Sequence, residues 1–468
     1  MSAEPEPIEI LKYPYPYQAA FAVASDIDGG SLLRFRGIHA LFCGPGLVKQ
    51  NSPEWQALGC RTDSIWFDRE RGGIPGLGLD FADSFFLVAS ASTFGLYRHL
   101  AEEDRFEEDG QEGENCATWV RRWLREGQID SFHAFHHYSR KRVEPLLGEF
   151  YHWCERENVA KPRVWINHSA AVTPSGLCPD RLQPNRVFRL ARLAGRSVVG
   201  PLFGRERRPL RYAFVRYQGD TPGSPYYVND LLSANGLRYV WLNMDDAHRD
   251  RIALPEQVQN HRATLLSPVT MDDGIRYWRF ERCYGGPRRR TQNVLCLRDS
   301  ESAFDSSNLI TEENLRELCR VEGACVLYTH WTHPCSIPIA DETIGRFALL
   351  RRWRDAGRIW VTSTAQLLDW TRRRTFLRVD CHRQGKRLVV EINGVNDPIF
   401  GVEKPGLGEL HGLCLRLRRP ETEITVAVHG EALRPEQIRR ADTLCWIDAR
   451  GALKKELGQK CHEALMSG

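Results

Sequence analysis

Short apolar runs, each followed by a polar residue, are the feature that most constrains how this chain can fold. Such runs lack the alternation of a strand with one solvated face, so they suit parallel strands that are covered on both faces. Helical patterns lie between them, and this order of strand and helix predicts an α/β fold with a parallel sheet that can close into a barrel. The runs and the residues that follow them are 20–25 with Asp26, 163–166 with Asn167, 239–242 with Asn243, 325–328 with Thr329, and 359–362.

Two of the intervening segments carry helix-start signals. Ser363 is followed three residues later by Gln366, which is the pattern of a capping box, and Thr311 precedes two glutamates. A hydroxyl at the cap position accepts a hydrogen bond from a backbone N–H of the first turn. We therefore predict one helix after Ser363 and another after Thr311, the second with Leu315 and Leu318 on its buried side.

After about residue 374 the pattern changes to short strand segments. Asn393 and Gly394, and the glycines of 406–408, predict turns between these segments. We therefore divide the chain into an α/β domain over residues 1–374 and a small antiparallel β domain over residues 375–468. The second domain is expected to end in a polar helix over 454–466. Its strand segments are 376–380, 387–392 and 423–428.

Composition argues against several classes of protein. Hydrophobic residues make up 42% of the chain and charged residues 26%, which is typical of a folded protein. The net charge of +4 is small, and the arginine runs lack the interleaved aromatics of a nucleic-acid surface. The 14 cysteines include no Cys-x-x-Cys pair, which favours reduced thiols. With no evident signal peptide or bilayer-spanning run, we expect a cytoplasmic protein that binds neither nucleic acid nor membrane.

Two aspartates follow the first apolar run. Asp26 and Asp28 are two residues apart, so a continuing strand would point both carboxylates to the same side. Two close carboxylates either share a proton or hold a cation. The alternative is a turn, because aspartate before glycine is common in turns.

Three histidines lie within the five residues 133–137. His133 and His137 are four residues apart, which places both imidazoles on one face if the segment is helical. Neutral imidazole is the commonest protein ligand for zinc-like ions, so this spacing favours a metal site over a solvated loop. His136 would then point elsewhere.

His168, His330 and His333 are further candidates. The first two follow predicted strand ends, and each is either a core histidine bonded to a carbonyl or part of the site. The carboxyl ends of barrel strands converge on one face, so these residues are expected near Asp26. A histidine near a metal-bound water could protonate a leaving group.

These motifs resemble those of the polysaccharide deacetylase-like (NodB-homology) superfamily. Residues 25–29, Ser-Asp-Ile-Asp-Gly, resemble its aspartate-rich motif at the end of the first strand, with Ile27 separating the aspartates here. Residues 133–137, His-Ala-Phe-His-His, resemble its His-Ser/Thr-x-x-His motif, and residues 327–330 loosely resemble its Leu-x-His. The resemblance covers roughly residues 15–372 in strand order and implies a distorted (β/α)7-type barrel.

The resemblance also implies roles for individual residues. Asp28, His133 and His137 would hold a divalent metal ion, with Zn²⁺ as the expected ion. Asp26 would be the general base and His330 the general acid. The implied activity is that of a metal-dependent carbohydrate hydrolase, a deacetylase acting on N- or O-acylated sugars or polysaccharide.

Two other functions fit the same residues. A glycoside hydrolase on a related barrel would pair Asp26 or Asp28 with a distant acid such as Asp245 or Asp246. A barrel without catalytic activity would instead bind polysaccharide or a protein partner. Oligomeric state is left open by the sequence.

Overall fold

The chain is a mixed α/β protein with several sheets, which confirms the predicted class. The computed structural model describes residues 8–27, 30–87, 116–133, 135, 139–167, 219–242, 265–282, 290–291, 294–295, 309–333, 336–419 and 423–450. The hydrogen-bonded strands of these residues form separate sheets, and no closed barrel is traced among them. The barrel therefore stays a prediction.

The described residues form short strands and, apart from two longer ones, short helices. The strands are β1 Ile8–Ile10, β2 Ala19–Ser25, β3 Leu47–Lys49, β4 Gly73–Pro75, β5 Asp83–Phe85, β6 Ile129–His133, β7 Val164–Ile166, β8 Tyr239–Trp241, β9 Leu266–Thr270, β10 Arg276–Phe280, β11 Arg290–Thr291, β12 Val294–Leu295, β13 Ala324–Thr329, β14 Ile359–Val361, β15 Leu377–Gln384, β16 Arg387–Asp397, β17 Gly401–Glu403, β18 Cys414–Leu417, β19 Glu423–Val428, β20 Glu431–Ala432, β21 Ile438–Ala441 and β22 Leu444–Ile447. The α-helices are α1 Leu32–Ile38, α2 Pro53–Ala57, α3 Cys116–Arg125, α4 Arg140–Arg156, α5 Asn229–Ala234, α6 Glu312–Arg320, α7 Asp341–Asp355 and α8 Thr364–Phe376.

Strand β2 lies inside the first sheet, whose order is β11-β12-β13-β2-β14. It is parallel to both β13 and β14, and Ser25 stands opposite Thr329. All seven residues of β2 are buried, which explains why the run is continuously apolar. The carboxyl ends of β2 and β13 therefore lie side by side.

The second sheet has the order β5-β6-β7-β8-β10-β9. Its strands from β5 to β10 are parallel, while β9 runs antiparallel beside β10. The register aligns His133 with Ile166 and Ile166 with Trp241. The carboxyl ends of β6, β7 and β8 thus share one edge of this sheet.

The two sheets share a core. Phe21 of β2, Ile166 of β7 and Trp278 of β10 belong to one hydrophobic cluster. The Ser84 hydroxyl of β5 donates a hydrogen bond of 2.6 Å to the carbonyl of Ser25. The polar residues at the strand ends of both sheets are therefore brought close together.

Both predicted helix starts are confirmed. The Ser363 hydroxyl accepts from the backbone N–H of Gln366 at the start of α8, and Thr311 accepts from Asn314 at the start of α6. Leu315 is buried on α6, as predicted. None of the helices in the described part of the chain is long and apolar enough to cross a membrane.

The C-terminal region contains two further sheets. One has the order β15-β16-β19-β20, with β17 also paired to β16. The other has the order β1-β18-β22-β21, in which Ile8 near the start of the chain stands opposite Leu417. Side chains from both sheets, including Ile8, Val390 and Leu415, form one hydrophobic cluster.

Two details of the predicted C-terminal domain are wrong. The pair β16 and β19 is parallel, whereas the domain was expected to be antiparallel. Asn393 and Gly394 lie inside β16 and not in a turn. Gly394 has φ +136°, and a Cβ there would meet the Glu403 carbonyl oxygen at 2.7 Å. This glycine therefore allows β17 to approach at an irregularity of the strand.

Candidate active site

Three of the sequence-predicted side chains meet at the strand ends. Asp26 follows β2, His330 follows β13, and His133 is the last residue of β6. The backbone N–H of Asp26 donates to the Thr329 carbonyl at 2.8 Å, which holds Asp26 beside the start of the His330 loop. The structure brings these three residues together.

Asp26 lies at the centre of the cluster. The Oδ1 atom of Asp26 is 3.9 Å from His133 Nδ1, and its Oδ2 atom is 3.8 Å from His330 Nε2. Arg282 Nη1 donates to Oδ1 at 2.5 Å, and Arg282 Nη2 donates to Oδ2 at 3.4 Å. The carboxylate is thus flanked by one guanidinium and two imidazoles.

These neighbours control the charge of Asp26. Burial alone would raise the pKa of this carboxyl, but the Arg282 guanidinium and the nearby His133 imidazole outweigh burial and hold the pKa below its ordinary value. The hydrogen bond from Arg282 and the charge of His330 act in the same direction. Asp26 is therefore ionised throughout the neutral range.

Arg282 is itself held by aromatic rings. Its guanidinium carbon lies 3.5 Å from the ring centre of Trp241 and 4.0 Å from that of Tyr328. A desolvated cation over an aromatic face is attracted by the electron-rich ring. The two rings therefore fix the guanidinium that orients Asp26.

His133 is fully buried. Its Nδ1 lies 3.3 Å from the carbonyl oxygen of Ile166 on the neighbouring strand. If Nδ1 carries the hydrogen and donates to this carbonyl, the lone pair of the neutral ring is on Nε2. This is the arrangement in which a histidine ligates a metal through one nitrogen while the other is held by the protein.

His330 is only partly buried, with 12% of its side chain exposed. The Tyr328 hydroxyl lies 3.4 Å from its Nε2, on the same nitrogen that faces Asp26. His333 closes the following turn, because its backbone N–H donates to the His330 carbonyl at 2.9 Å. The His333 ring packs edge-on against the His330 ring, with centres 6.5 Å apart.

The other predicted site residues lie outside the described part of the chain. They are the metal-ligand candidates Asp28 and His137, the candidate His168, and the alternative acids Asp245 and Asp246. Among the described residues, no group of three or more His, Cys, Asp or Glu side chains is arranged to hold a metal ion. The metal site therefore stays a prediction.

Arg282, Trp241 and Tyr328 were missed by the sequence analysis. Arg282 comes two residues after β10, just as Asp26 follows β2. The rule that polar residues follow buried strands would have found it if β10 had been recognised. The arginines at 276 and 279 hid that strand, because the prediction looked for continuous apolar runs.

No protein-family model matches this chain, nor does any curated protein or solved structure. The superfamily resemblance therefore stays a prediction that rests on the residues of three short motifs.

Proposed function

We propose that this chain is a metal-dependent carbohydrate hydrolase that removes acyl groups from N- or O-acylated sugars or polysaccharide. The observation that carries the proposal is the position of Asp26 between His133 and His330, at the carboxyl ends of strands from two sheets. A carboxylate and two imidazoles at strand ends can move protons and bind a cation. The proposed site sits on a distorted barrel formed by these sheets, which their shared core supports.

Each side chain has a proposed role. Asp26 is ionised and can accept the proton of an attacking water, while Arg282 keeps its oxygens in a fixed orientation. His330 faces the same space from the other side of Asp26 and gives a proton to the leaving group. Asp26 lies between His133 and His330, so its carboxylate is close to both imidazoles.

His133 would hold the metal ion through Nε2, together with Asp28 and His137 as the resemblance implies. A divalent ion bound there would polarise the acyl carbonyl and lower the pKa of a bound water. Burial of His133 and its contact with the Ile166 carbonyl keep the imidazole in one orientation.

We also infer a cytoplasmic location, which the buried thiols of Cys154, Cys319 and Cys325 support because none is in a disulfide.

The test combines metal analysis with acetate release from a panel of N- and O-acetylated glycans. Asp26→Asn should retain metal but release acetate about 10²–10⁴-fold more slowly, because it removes the proton acceptor. His133→Ala should lose both metal and activity. His382→Ala is the matched control, since His382 lies exposed on β15, and it should change neither.

The same panel separates the other functions. Release of reducing sugar without acetate, independent of added metal and abolished in Asp26→Asn, would identify a glycoside hydrolase. Glycan binding with no product, and no stoichiometric metal with Zn²⁺ added, would identify a non-catalytic binding protein. Either result rejects the deacetylase proposal.

A further inference from the structure

One side chain, Tyr328, contacts groups on both sides of Asp26. It lies in β13, two residues before His330, and the two rings meet edge to face with centres 5.0 Å apart. Its hydroxyl is 3.4 Å from His330 Nε2, while its ring centre lies 4.0 Å from the Arg282 guanidinium carbon. Arg282 in turn donates to Asp26 Oδ1, and His330 Nε2 lies 3.8 Å from Asp26 Oδ2. Tyr328 therefore links the cation that orients Asp26 to the imidazole on its other side.

The position of the Tyr328 ring is set by its surroundings. Its backbone is paired in register with Ala24 on the neighbouring strand β2. The rings of Tyr328 and Trp241 are within 21° of parallel, with centres 6.2 Å apart, and the Arg282 guanidinium lies against both. A cation held against aromatic rings is attracted to them, so the three groups keep one another in place. The Tyr328 hydroxyl is therefore presented in one direction, toward His330.

His330 depends on contacts from its neighbours, because it follows β13 and lies outside the strand. Its carbonyl oxygen accepts hydrogen bonds from the Ser336 hydroxyl at 2.8 Å and from the His333 N–H at 2.9 Å. These bonds fix the backbone, whereas the Tyr328 hydroxyl contacts the ring. A phenol oxygen donates to a bare imidazole nitrogen and accepts from a protonated one. The hydroxyl is thus able to hold Nε2 before and after the ring gives up a proton.

We propose that Tyr328 is a positioning residue, whose hydroxyl keeps His330 Nε2 turned toward Asp26 while its ring holds Arg282. The inference rests on the proposed function, in which Asp26 is the base and His330 the acid. A reaction that takes a proton on one side chain and gives a proton from another needs both groups at a fixed separation. Tyr328 sets that separation, because one rigid side chain contacts both the acid and the cation that orients the base.

The test is a double-variant cycle of Tyr328→Phe with His330→Ala in the full chain, followed by the rate of acetate release. Tyr328→Phe keeps the ring and removes the hydroxyl, so it should lower kcat about tenfold and leave KM within about twofold. In the His330→Ala background it should change kcat less than about twofold, since the imidazole that the hydroxyl holds is gone. Equal losses in both backgrounds would overturn the proposal.

Tyr328→Leu separates the two contacts of this side chain. It removes the ring as well as the hydroxyl, so it should lower kcat further than Tyr328→Phe does. The added loss should persist in the His330→Ala background, because Asp26 loses its fixed cation. The matched control is Tyr15→Phe, which removes a hydroxyl from a ring stacked on Trp446 and should change kcat less than about twofold. The same kcat in Tyr328→Leu and Tyr328→Phe would contradict the role of the ring.

Denaturant unfolding of the same variants keeps this inference apart from the proposed function. Tyr328→Phe should raise the unfolding equilibrium constant about threefold, as expected for loss of a weak hydrogen bond, and should not do so in the His330→Ala background. Such coupling in a chain that releases no acetate would reject the proposed function and retain the positioning of His330 by Tyr328. Absence of the coupling would overturn the positioning role whatever the activity.

Discussion

Two buried arginines in this molecule are held in different ways. Arg372 lies on α8, and no part of its side chain is exposed. Its Nε donates to the Tyr239 hydroxyl at 2.9 Å, Nη1 to Asp397 at 2.9 Å, and Nη2 to Glu403 at 2.6 Å. Every nitrogen of this guanidinium therefore has an oxygen partner, and the partners come from both the α/β part and the C-terminal sheet.

Arg282 is equally buried, and in the described part of the chain Asp26 is its one carboxylate partner. The rings of Trp241 and Tyr328 cover it, and within the described residues its Nε has no hydrogen-bond partner. A guanidinium in a structural role uses its full set of donors, as Arg372 does. The incomplete set around Arg282 is compatible with the proposed role, in which Arg282 orients Asp26 at a cost in stability.

The largest expected effect on stability is that of Arg372→Met. This change leaves the fully buried Asp397 without its cation, while Glu403 keeps its pair with Arg238, and it should lower the free energy of unfolding by about 3–5 kcal/mol. Denaturant unfolding followed by circular dichroism measures it. Arg387→Met, which breaks the exposed pair with Glu423, is the control and should cost less than about 1 kcal/mol. Similar losses in both variants would contradict a structural role for Arg372.

Arg282→Met should cost less, about 1–3 kcal/mol, because Asp26 can take up a proton and keeps the imidazoles of His133 and His330 beside it. Adding Asp26→Asn to this variant removes the unpaired charge and should recover part of the loss. Denaturant unfolding of the single and double variants gives the coupling energy between the two residues. A loss as large as that of Arg372→Met, with no recovery in the double variant, would remove the distinction between the two arginines.

Gly394→Ala tests the strand contact beside Glu403, a partner of Arg372. The added Cβ would meet the Glu403 carbonyl at 2.7 Å in a backbone conformation with φ +136°. We expect a loss of about 1–2 kcal/mol, measured by thermal or denaturant unfolding. Gly385→Ala is the control, because Gly385 also has positive φ but nothing lies within 4 Å of its Cβ position. Equal losses would show that the contact with Glu403 contributes nothing.

The smallest expected effect is on how the free energy of unfolding depends on pH through Asp26, the partner of Arg282. The folded-state pKa of Asp26 lies below its ordinary value, because Arg282 and the histidines outweigh burial. The unfolded state therefore binds more protons, and the stability from Asp26 is complete above its ordinary pKa and is lost as the pH falls through the folded pKa. Unfolding measured from pH 6 downward should show a shallower loss in Asp26→Asn than in the unmodified chain. An unchanged slope would contradict the pairing with Arg282.

The sequence predicted the strands whose residues are apolar on both faces, because burial on both sides leaves a continuous run. The run ending in Ser25 became β2, and Asp26 at its end became the centre of the candidate site. Capping at Ser363 and Thr311 was also predictable, since it depends only on neighbouring residues.

Long-range partners could not be predicted in this way. Nothing local in the sequence pairs Arg282 with Asp26, because the contact depends on how two sheets face each other. The direction of β19 beside β16 was missed for the same reason, since the alternation of a strand is the same whether its neighbour is parallel or antiparallel. Gly394 was read as a turn because Asn-Gly is a strong local turn signal, which the approach of β17 overrides.

The pairing of β1 with β18 has a consequence for how the chain is made. Ile8 is synthesised some four hundred residues before its partner Leu417. Until Leu417 has been made, β1 has no strand to pair with. Closing so long a loop also costs entropy that local contacts do not recover. Strand β1 can therefore join its sheet only after Leu417 has been made, however early the elements between them fold.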